Sequence, residues 1–427
     1  MPFSETISTL ALRAEEASRP LFAAIDRIAL SNTERVLDAF ARCRVGLPHF
    51  APSTGYGYDD LGRDTLDRVY AETFGCEDAL VRPQIINGTH AILLMLRGIL
   101  PSRDGRMLSL TGAPYDTLSE ALDSFRREGL VYGELPFQGA PDPDFPLLAA
   151  KKVKEFDPDV VYIQRSKGYG DRITLSVRDI RLLAAAAKTA KPGVIVAVDN
   201  CYGEFTEADE PFGARCESCG GPRPLHFRAG PEAEADIAAG SLIKNPGGGL
   251  APCGGYVAGK KEQVERIAEV LTVPGIGREA GANPAGWRLY YQGFFLAPHV
   301  TAQALKTMVF AANLLKLAGF ETAPAGDEMR SDIIQTVRFG KPEPLIAFCR
   351  GIQAASPVDS FAVCEPWAMP GYADPVIMAA GAFVQGASIE LSADAPLREP
   401  YLLYMQGGLT YESGKLAVMR AVEKALS

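Results

Sequence analysis

A chain of 427 residues, 47% hydrophobic and 22% charged, can bury a large core and divide into two or more domains. A formal net charge of −9 with no long basic run excludes a nucleic-acid surface, and no apolar stretch is long enough to span a bilayer. Eight scattered cysteines and the lack of a signal-peptide pattern point to a reducing, cytoplasmic compartment.

Residues 1 to about 46 read as a helical arm, with Leu21, Ile25, Ile28, Val36, Leu37 and Phe40 at helical spacing. Such an arm packs on its own chain or on a partner subunit. A glycine-punctuated loop follows, Ser53 to Arg63, and then a helix from Thr65 to Phe74. Tyr56, Tyr58 and Arg63 in that loop either grip a phosphate or an aromatic ring, or mark a plain turn. An extended segment reaches Ile86, Asn87-Gly88-Thr89 turns, and a helix runs to about Leu100. The free N–H groups of that helix start form an anion site, and Asn87 or Thr89 serves equally as an N-cap. His90 reads as a helix-start residue.

Strand and helix then alternate: a strand at Met107–Thr111, a helix from Leu118 to Glu128, a strand at Val160–Gln164, and a helix from Arg178 to Thr189. The next strand, Val194 to Asp199, is apolar and β-branched and ends in an acid. This alternation predicts a doubly wound, mostly parallel α/β sheet, which binds ligands at the carboxyl edge of its strands. The segment Asp236 to Gly255 places Lys244 among small and apolar residues, followed by Gly247-Gly248-Gly249. A lysine there either sits on a flexible loop or, with its pKa lowered by desolvation, forms a Schiff base. The strand-end Asp199 favours the second reading. Pyridoxal phosphate needs a lysine for its aldehyde and an acid that keeps its ring nitrogen protonated.

Between these segments, Cys216-x-x-Cys219 with His226 supplies half a metal site, or else unpaired thiols in a flexible insertion. From about residue 286 a second pattern begins. A helical region covers Trp287 to Leu317, interrupted near Pro298. Strands are expected at Asp332–Phe339, Asp359–Val363 and Ser388–Ser392, a loop at Pro366–Pro375, and a helix at Lys415–Leu426. The domains expected are an arm (1–50), a large cofactor-binding domain (51–285, with an insertion near 210–230) and a smaller C-terminal α/β domain (286–427).

Asn87-Gly-Thr-His-Ala-Ile, Val198-Asp-Asn-Cys-Tyr-Gly-Glu-Phe, Gly240-Ser-Leu-Ile-Lys-Asn-Pro-Gly-Gly-Gly, Gln385-Gly-Ala-Ser-Ile-Glu-Leu-Ser-Ala-Asp and Gln406-Gly-Gly-Leu-Thr resemble the methionine γ-lyase-like, or aluminium-resistance, family. This is a branch of the fold-type-I pyridoxal phosphate enzymes related to cystathionine lyases. The resemblance covers nearly the whole chain. It implies that Lys244 carries the Schiff base and shuttles protons, and that Asp199 pairs with the ring nitrogen. Gly88, Thr89 and Ser241 would hold the phosphate, and Tyr115 would stack on the ring. Tyr56 and Arg63 would reach the phosphate of a neighbouring subunit in a homodimer or homotetramer. Two departures stand out. The Cys216–His226 loop looks like an insertion. The carboxylate-binding arginine of the relatives' final strand is replaced by Leu402-Leu-Tyr-Met-Gln406, which leaves Arg398, then Arg165, as candidates for the substrate carboxylate.

The activity implied is β- or γ-elimination on an amino acid, with a thiolate or a γ-halide of an unsaturated substrate as leaving group. An aminotransferase or a γ-replacement synthase on the same fold is the rival reading. From another class, a catalytically silent cofactor- or metal-binding protein is the alternative.

Overall fold

Short polar side chains start the helices where the sequence offers them. Asn87 Oδ1 accepts from His90 N at 2.8 Å, Asp60 Oδ1 from Arg63 N at 2.9 Å, and Ser176 and Asp179 form a reciprocal capping box. The structure is a computed structural model describing residues 2–101, 104–139, 142–170, 172–213, 226–369 and 374–427. Its first part comprises α1 (Glu5–Arg42), α2 (Leu61–Phe74), β1 (Asp78–Arg82), α3 (Gly88–Ile99), β2 (Arg106–Ser109), α4 (Asp116–Arg127) and β3 (Val131–Glu134). Then come α5 (Phe145–Phe156), β4 (Val160–Gln164), α6 (Val177–Ala190), β5 (Ile195–Asp199), β6 (Ile237–Ser241), β7 (Gly255–Gly259), α7 (Lys261–Leu271) and α8 (Arg288–Leu317). The remainder is β8 (Glu321–Ala323), β9 (Ile334–Arg338), α9 (Pro342–Ala355), β10 (Val376–Ala379), β11 (Ser392–Pro396), β12 (Leu402–Gln406) and α10 (Tyr411–Leu426).

The large sheet has the order β1-β7-β6-β5-β4-β2-β3. Its strands from β3 to β6 are parallel, and β7 runs antiparallel to both neighbours. β4 and β6 are buried along their whole length, as expected of apolar runs covered on both faces. Leu80, Ile92, Met95, Leu118 and Ile267 cover one face; Leu66, Phe74, Val153, Leu183 and Phe294 cover the other. The second sheet is antiparallel, in the order β10-β11-β12-β9-β8. It packs on the end of α8 and on α9 and α10 through Phe310, Leu314, Phe348, Ile352 and Val418.

α1 and α8 lie along each other and serve both cores. Ile7, Ala11 and Ala14 join the small-sheet core, whereas Val36 and Ala39 join the large one. α8 does the same: Trp287 to Ala297 packs with the large sheet and Phe310 to Leu315 with the small. The arm therefore packs on its own chain, and the boundary expected at 286 falls at the start of a helix both cores share. The buried stripe of α1 is built mainly from small residues, which allow close approach to α8, and Leu37 is left 51% exposed.

Three further expectations change. α8 is continuous through Pro298, because the proline is buried and packing on both sides outweighs the lost backbone hydrogen bond. Asp359–Val363 is a turn with φ +52° at Asp359 and Phe361 85% exposed, which gives it no sheet face to bury. Residues 388–391 form a turn rather than a strand. The Glu390 carboxylate accepts from Phe383 N and Val384 N at 2.8 Å each, and these local bonds displace strand pairing until Ser392.

Asn32, fully buried on α1, donates Nδ2 to the Phe205 and Glu207 carbonyls at 3.0 Å each. It fastens α1 to the turn that follows β5. Asn32→Ala should lower unfolding free energy by about 2 kcal/mol, since two buried acceptors lose their partner. Urea denaturation measures this, and an unchanged midpoint would show that the staple contributes nothing.

Candidate functional site

Three strand ends and one helix start converge at the carboxyl edge of the large sheet. Gln164 ends β4, Asp199 lies opposite it at the end of β5, Ser241 ends β6, and Gly88 opens α3 after β1. Lys244 follows β6 by three residues, in a turn that Lys244 N closes on the Ser241 carbonyl at 3.3 Å. Asn245 Nδ2 donates to the Tyr202 and Glu204 carbonyls, tying this turn to the one after Asp199. The glycine run serves packing more than ligand approach. Gly248 has φ +53°, and a Cβ there would strike the Gly293 carbonyl of α8.

These elements open on a cleft of about 270 Å³. Its large-sheet wall includes Thr89, Tyr115, Gln164, Ser166, Asp199, Cys201, Tyr202 and Lys244. Its small-sheet wall includes Met378, Ser388, Ser392, Asp394, Tyr404 and Gln406. Lys244 Nζ stands over the Tyr202 ring, 3.9 Å from its centroid. Asp199 is 4% exposed; Oδ1 accepts from Cys201 N at 3.1 Å and Oδ2 from the Tyr162 hydroxyl at 3.4 Å. Burial pushes the Asp199 carboxyl up, and Lys244, Cys201 and Tyr162 pull it back. The expectation that desolvation frees the Lys244 amine is reversed. Burial does push it down, but the facing Cys201, Tyr202, Asp199 and Tyr115 outweigh burial and hold its pKa well above the usual range.

An anion cradle lies beside the lysine. A Cβ added at Gly88 would meet Cys201 Sγ at 3.1 Å, Ser241 Cβ at 3.4 Å and Lys244 Nζ at 3.7 Å, so these groups enclose the helix start. Ser241 Oγ is buried without a hydrogen-bond partner. Thr89 Oγ1 and the Tyr115 hydroxyl meet at 3.1 Å, which fixes the Tyr115 side chain at the cleft.

The structure thus brings together Lys244, Asp199, Gly88, Thr89, Ser241 and Tyr115. It does not bring Arg165 or Arg398 there. Arg63, expected at a neighbouring subunit's phosphate, is fully buried and donates within its own chain to the Gly57 and Glu279 carbonyls at 2.8 Å. Arg165 is fully buried beside Asn200, Glu207 and Glu210, consumed by an internal ion-pair network. Arg398 is exposed and bonds Asp374 at 3.1 Å. Tyr56 is 65% exposed and stacks on Tyr58, with centroids 5.2 Å apart. Cys216 and Cys219 lie outside the described residues. His226 Nδ1 bonds Asp179 at 2.7 Å, and this bond raises its pKa. No cluster of metal-ligating side chains occurs among the described residues. Sequence reasoning missed Cys201 and Tyr202, although they directly follow Asp199, and Ser388, Ser392, Asp394 and Gln406, although all four lie in the quoted C-terminal motifs.

A family model described as methionine gamma-lyase matches residues 7–222 and 224–426. The chain is 45% identical to the protein YnbB of Bacillus subtilis over 433 residues, 99% of this chain and 97% of that one. A crystal structure of a carbon-sulfur lyase involved in aluminum resistance, from Clostridium novyi NT, is 42% identical with a TM-score of 0.89, covering 99% of this chain and 96% of that one. Yeast cystathionine gamma-lyase, 13% identical with a TM-score of 0.57 over 94% of this chain and 98% of that one, shares the fold.

The residues present fit pyridoxal phosphate. Gly88, Thr89 and the unpartnered Ser241 hydroxyl suit the phosphate, Asp199 the ring nitrogen, Tyr115 the ring face, and Lys244 the aldehyde. Ser241→Ala should weaken cofactor affinity about tenfold, the worth of one hydrogen bond to a charged group, as read by equilibrium dialysis. Equal affinity would remove Ser241 from the cradle. Arg398→Lys should change the Michaelis constant by less than about twofold, because exposed ion pairs contribute little. A large rise would return Arg398 to the substrate site.

Proposed function

The chain belongs to the methionine gamma-lyase family and is a pyridoxal phosphate-dependent lyase, and we propose that it performs β- or γ-elimination on an amino acid, with a carbon–sulfur bond as the bond broken. The observation that carries this reading is the placement of Lys244 Nζ on the Tyr202 ring, beside the buried Asp199, at the edge of the cleft. When bound, the cofactor supplies an electron sink for a carbanion α to the substrate nitrogen.

The chain's own groups do the rest. Lys244 Nζ, on a loop fastened by Asn245, would take the α-proton as a neutral amine, its own proton lost when it holds the cofactor aldehyde, and in γ-elimination it would also suit removal of a proton from Cβ. Asp199, held by Cys201 N and the Tyr162 hydroxyl, would pair with the ring nitrogen of the bound cofactor. The Tyr202 hydroxyl meets Ser388 Oγ at 3.2 Å, linking the large-sheet wall to the small-sheet wall over the reacting groups. The products expected from a γ-thioether are a thiol, ammonia and a 2-oxo acid, with one water consumed. The same proton removals support loss of halide from a γ-halogenated unsaturated amino acid, leaving an alkyne amino acid. The exposed Tyr56–Tyr58 stack supports a homodimer or homotetramer in which this loop completes the neighbour's site. No described helix is long and apolar enough to cross a membrane, consistent with a proposed cytoplasmic location.

The test is a panel of L-methionine, L-cystathionine, S-alkyl cysteines and a γ-halogenated allyl amino acid, scored for thiol or halide and for ammonia. Amino transfer without ammonia release would move the protein to the aminotransferases. Lys244→Ala should lower turnover at least about 10³-fold, as loss of a general base predicts, while circular dichroism stays native. Turnover retained in that variant would remove Lys244 from the chemistry.

A further inference from the structure

Any amino-acid substrate brings an α-carboxylate into the cleft, and a carboxylate needs donors. Among the described residues lining the cleft, Lys244 is the only cation. The arginines nearest in sequence to its walls are spent elsewhere. Arg165 is held by Glu207 and Glu210, and Arg398 by Asp374. Arg172 donates to the Ile173, Gln164 and Ser166 carbonyls.

What the small sheet presents at this wall is an acid and an amide. Asp394 on β11 and Gln406 on β12 both line the cleft, each 6% exposed. Gln406 Nε2 donates to Ser392 Oγ at 2.9 Å and to Asp394 Oδ2 at 3.1 Å. Asp394 Oδ1 has no partner in hydrogen-bond geometry, while the Tyr169 side chain acts as a donor toward the same carboxyl and lowers its pKa. A buried, unpartnered oxygen in a ligand cleft is costly unless a ligand completes it.

We propose that Asp394, oriented by Gln406, is the subsite that receives the substrate α-carboxylate, through an O–H donated from Oδ1. This rests on the reading of the cleft as an amino-acid site. It replaces the guanidinium fork with a neutral acid that shares its proton with the incoming carboxylate.

The surroundings are consistent with an acid that keeps its proton. Met378 of β10 lies opposite Asp394 in the strand register, and Tyr404 is its partner on β12. The titratable groups facing it are the Tyr169 side chain and the Cys349 thiol of α9, and the Tyr404 hydroxyl is occupied by the Tyr169 carbonyl at 2.7 Å. No lysine or arginine acts on it, and burial pushes the Asp394 carboxyl up to about 7, with Gln406 and Tyr169 opposing. The sign for binding follows. Below about pH 7 the acid donates; above it, a carboxylate faces the substrate carboxylate and repels it.

The test measures binding of L-norvaline, which has no leaving group, to the holoenzyme by calorimetry between pH 6 and 8.5. At pH 6 Asp394→Ala should weaken binding about tenfold, and Asp394→Asn, which keeps a donor, by less than about threefold. As pH rises past 7 the wild type should lose affinity relative to Asp394→Asn at the same pH, a comparison that cancels titration of the ligand's own amine. Wild-type affinity in Asp394→Ala would overturn the subsite, as would failure of L-norvaline to bind the wild type. Loss of binding in Asp394→Asn at every pH, with L-ornithine bound more tightly than L-norvaline by the wild type, would overturn it in favour of a counter-ion for a cationic side chain. A wild type that binds L-norvaline but eliminates no leaving group from the panel above would refute the proposed lyase function and leave the subsite standing.

Discussion

Everything at the cleft depends on keeping two opposite charges, Lys244 and Asp199, buried on neighbouring strand ends. Taking charges out of water costs several kcal/mol each unless other groups compensate. Here the Tyr202 ring lies under the ammonium, while Cys201 N and the Tyr162 hydroxyl donate to the carboxylate. The same burial that makes the pair costly makes it chemically useful, because each charge acts at short range without solvent screening.

The scaffold is arranged to hold those strand ends still. Behind Asp199, the turn from Asn200 to Glu210 is occupied by buried polar contacts. Arg165 bonds Asn200, Glu207 and Glu210, Asn200 Nδ2 donates to Glu210 at 2.8 Å, and the Tyr256 hydroxyl donates to Glu204 at 2.8 Å. Burial pushes Glu204 up to about 8, which favours its protonated form at neutral pH. Asn32 reaches the same turn from α1, and Asn245 reaches it from the lysine loop. The turn is thereby fixed from three sides, and Cys201 and Tyr202 are delivered to the cleft with the Cys201 N–H bonded to Asp199 and the Tyr202 carbonyl to Asn245.

The small sheet supplies the second wall of the cleft. Its wall carries Ser388, Ser392, Asp394 and Gln406, opposite the charged edge of the large sheet. α1 and α8 run through both cores, so the distance between the two walls is set by helix packing and not by a flexible linker.

Local chemistry made much of this legible in the chain itself. The β-branched run ending in Asp199, the Asn87 cap before an apolar helix, and Lys244 amid glycines are each set by residues within a few positions of one another. They survive into the structure unchanged. The arginines were not legible, because an arginine's role depends on which acid or carbonyl lies within reach, and those partners are distant in sequence. Arg63 finds the carbonyl of Glu279, and Arg398 finds Asp374. The same holds for Asp394. Sequence shows an acid just past the expected strand Ser388–Ser392; only the structure puts it on β11, with Gln406 beside it, no cation acting on it and the lysine's cleft in front of it. Short-range periodicity and capping determine the elements, and the long-range packing of two sheets on shared helices decides which side chains face each other across the site.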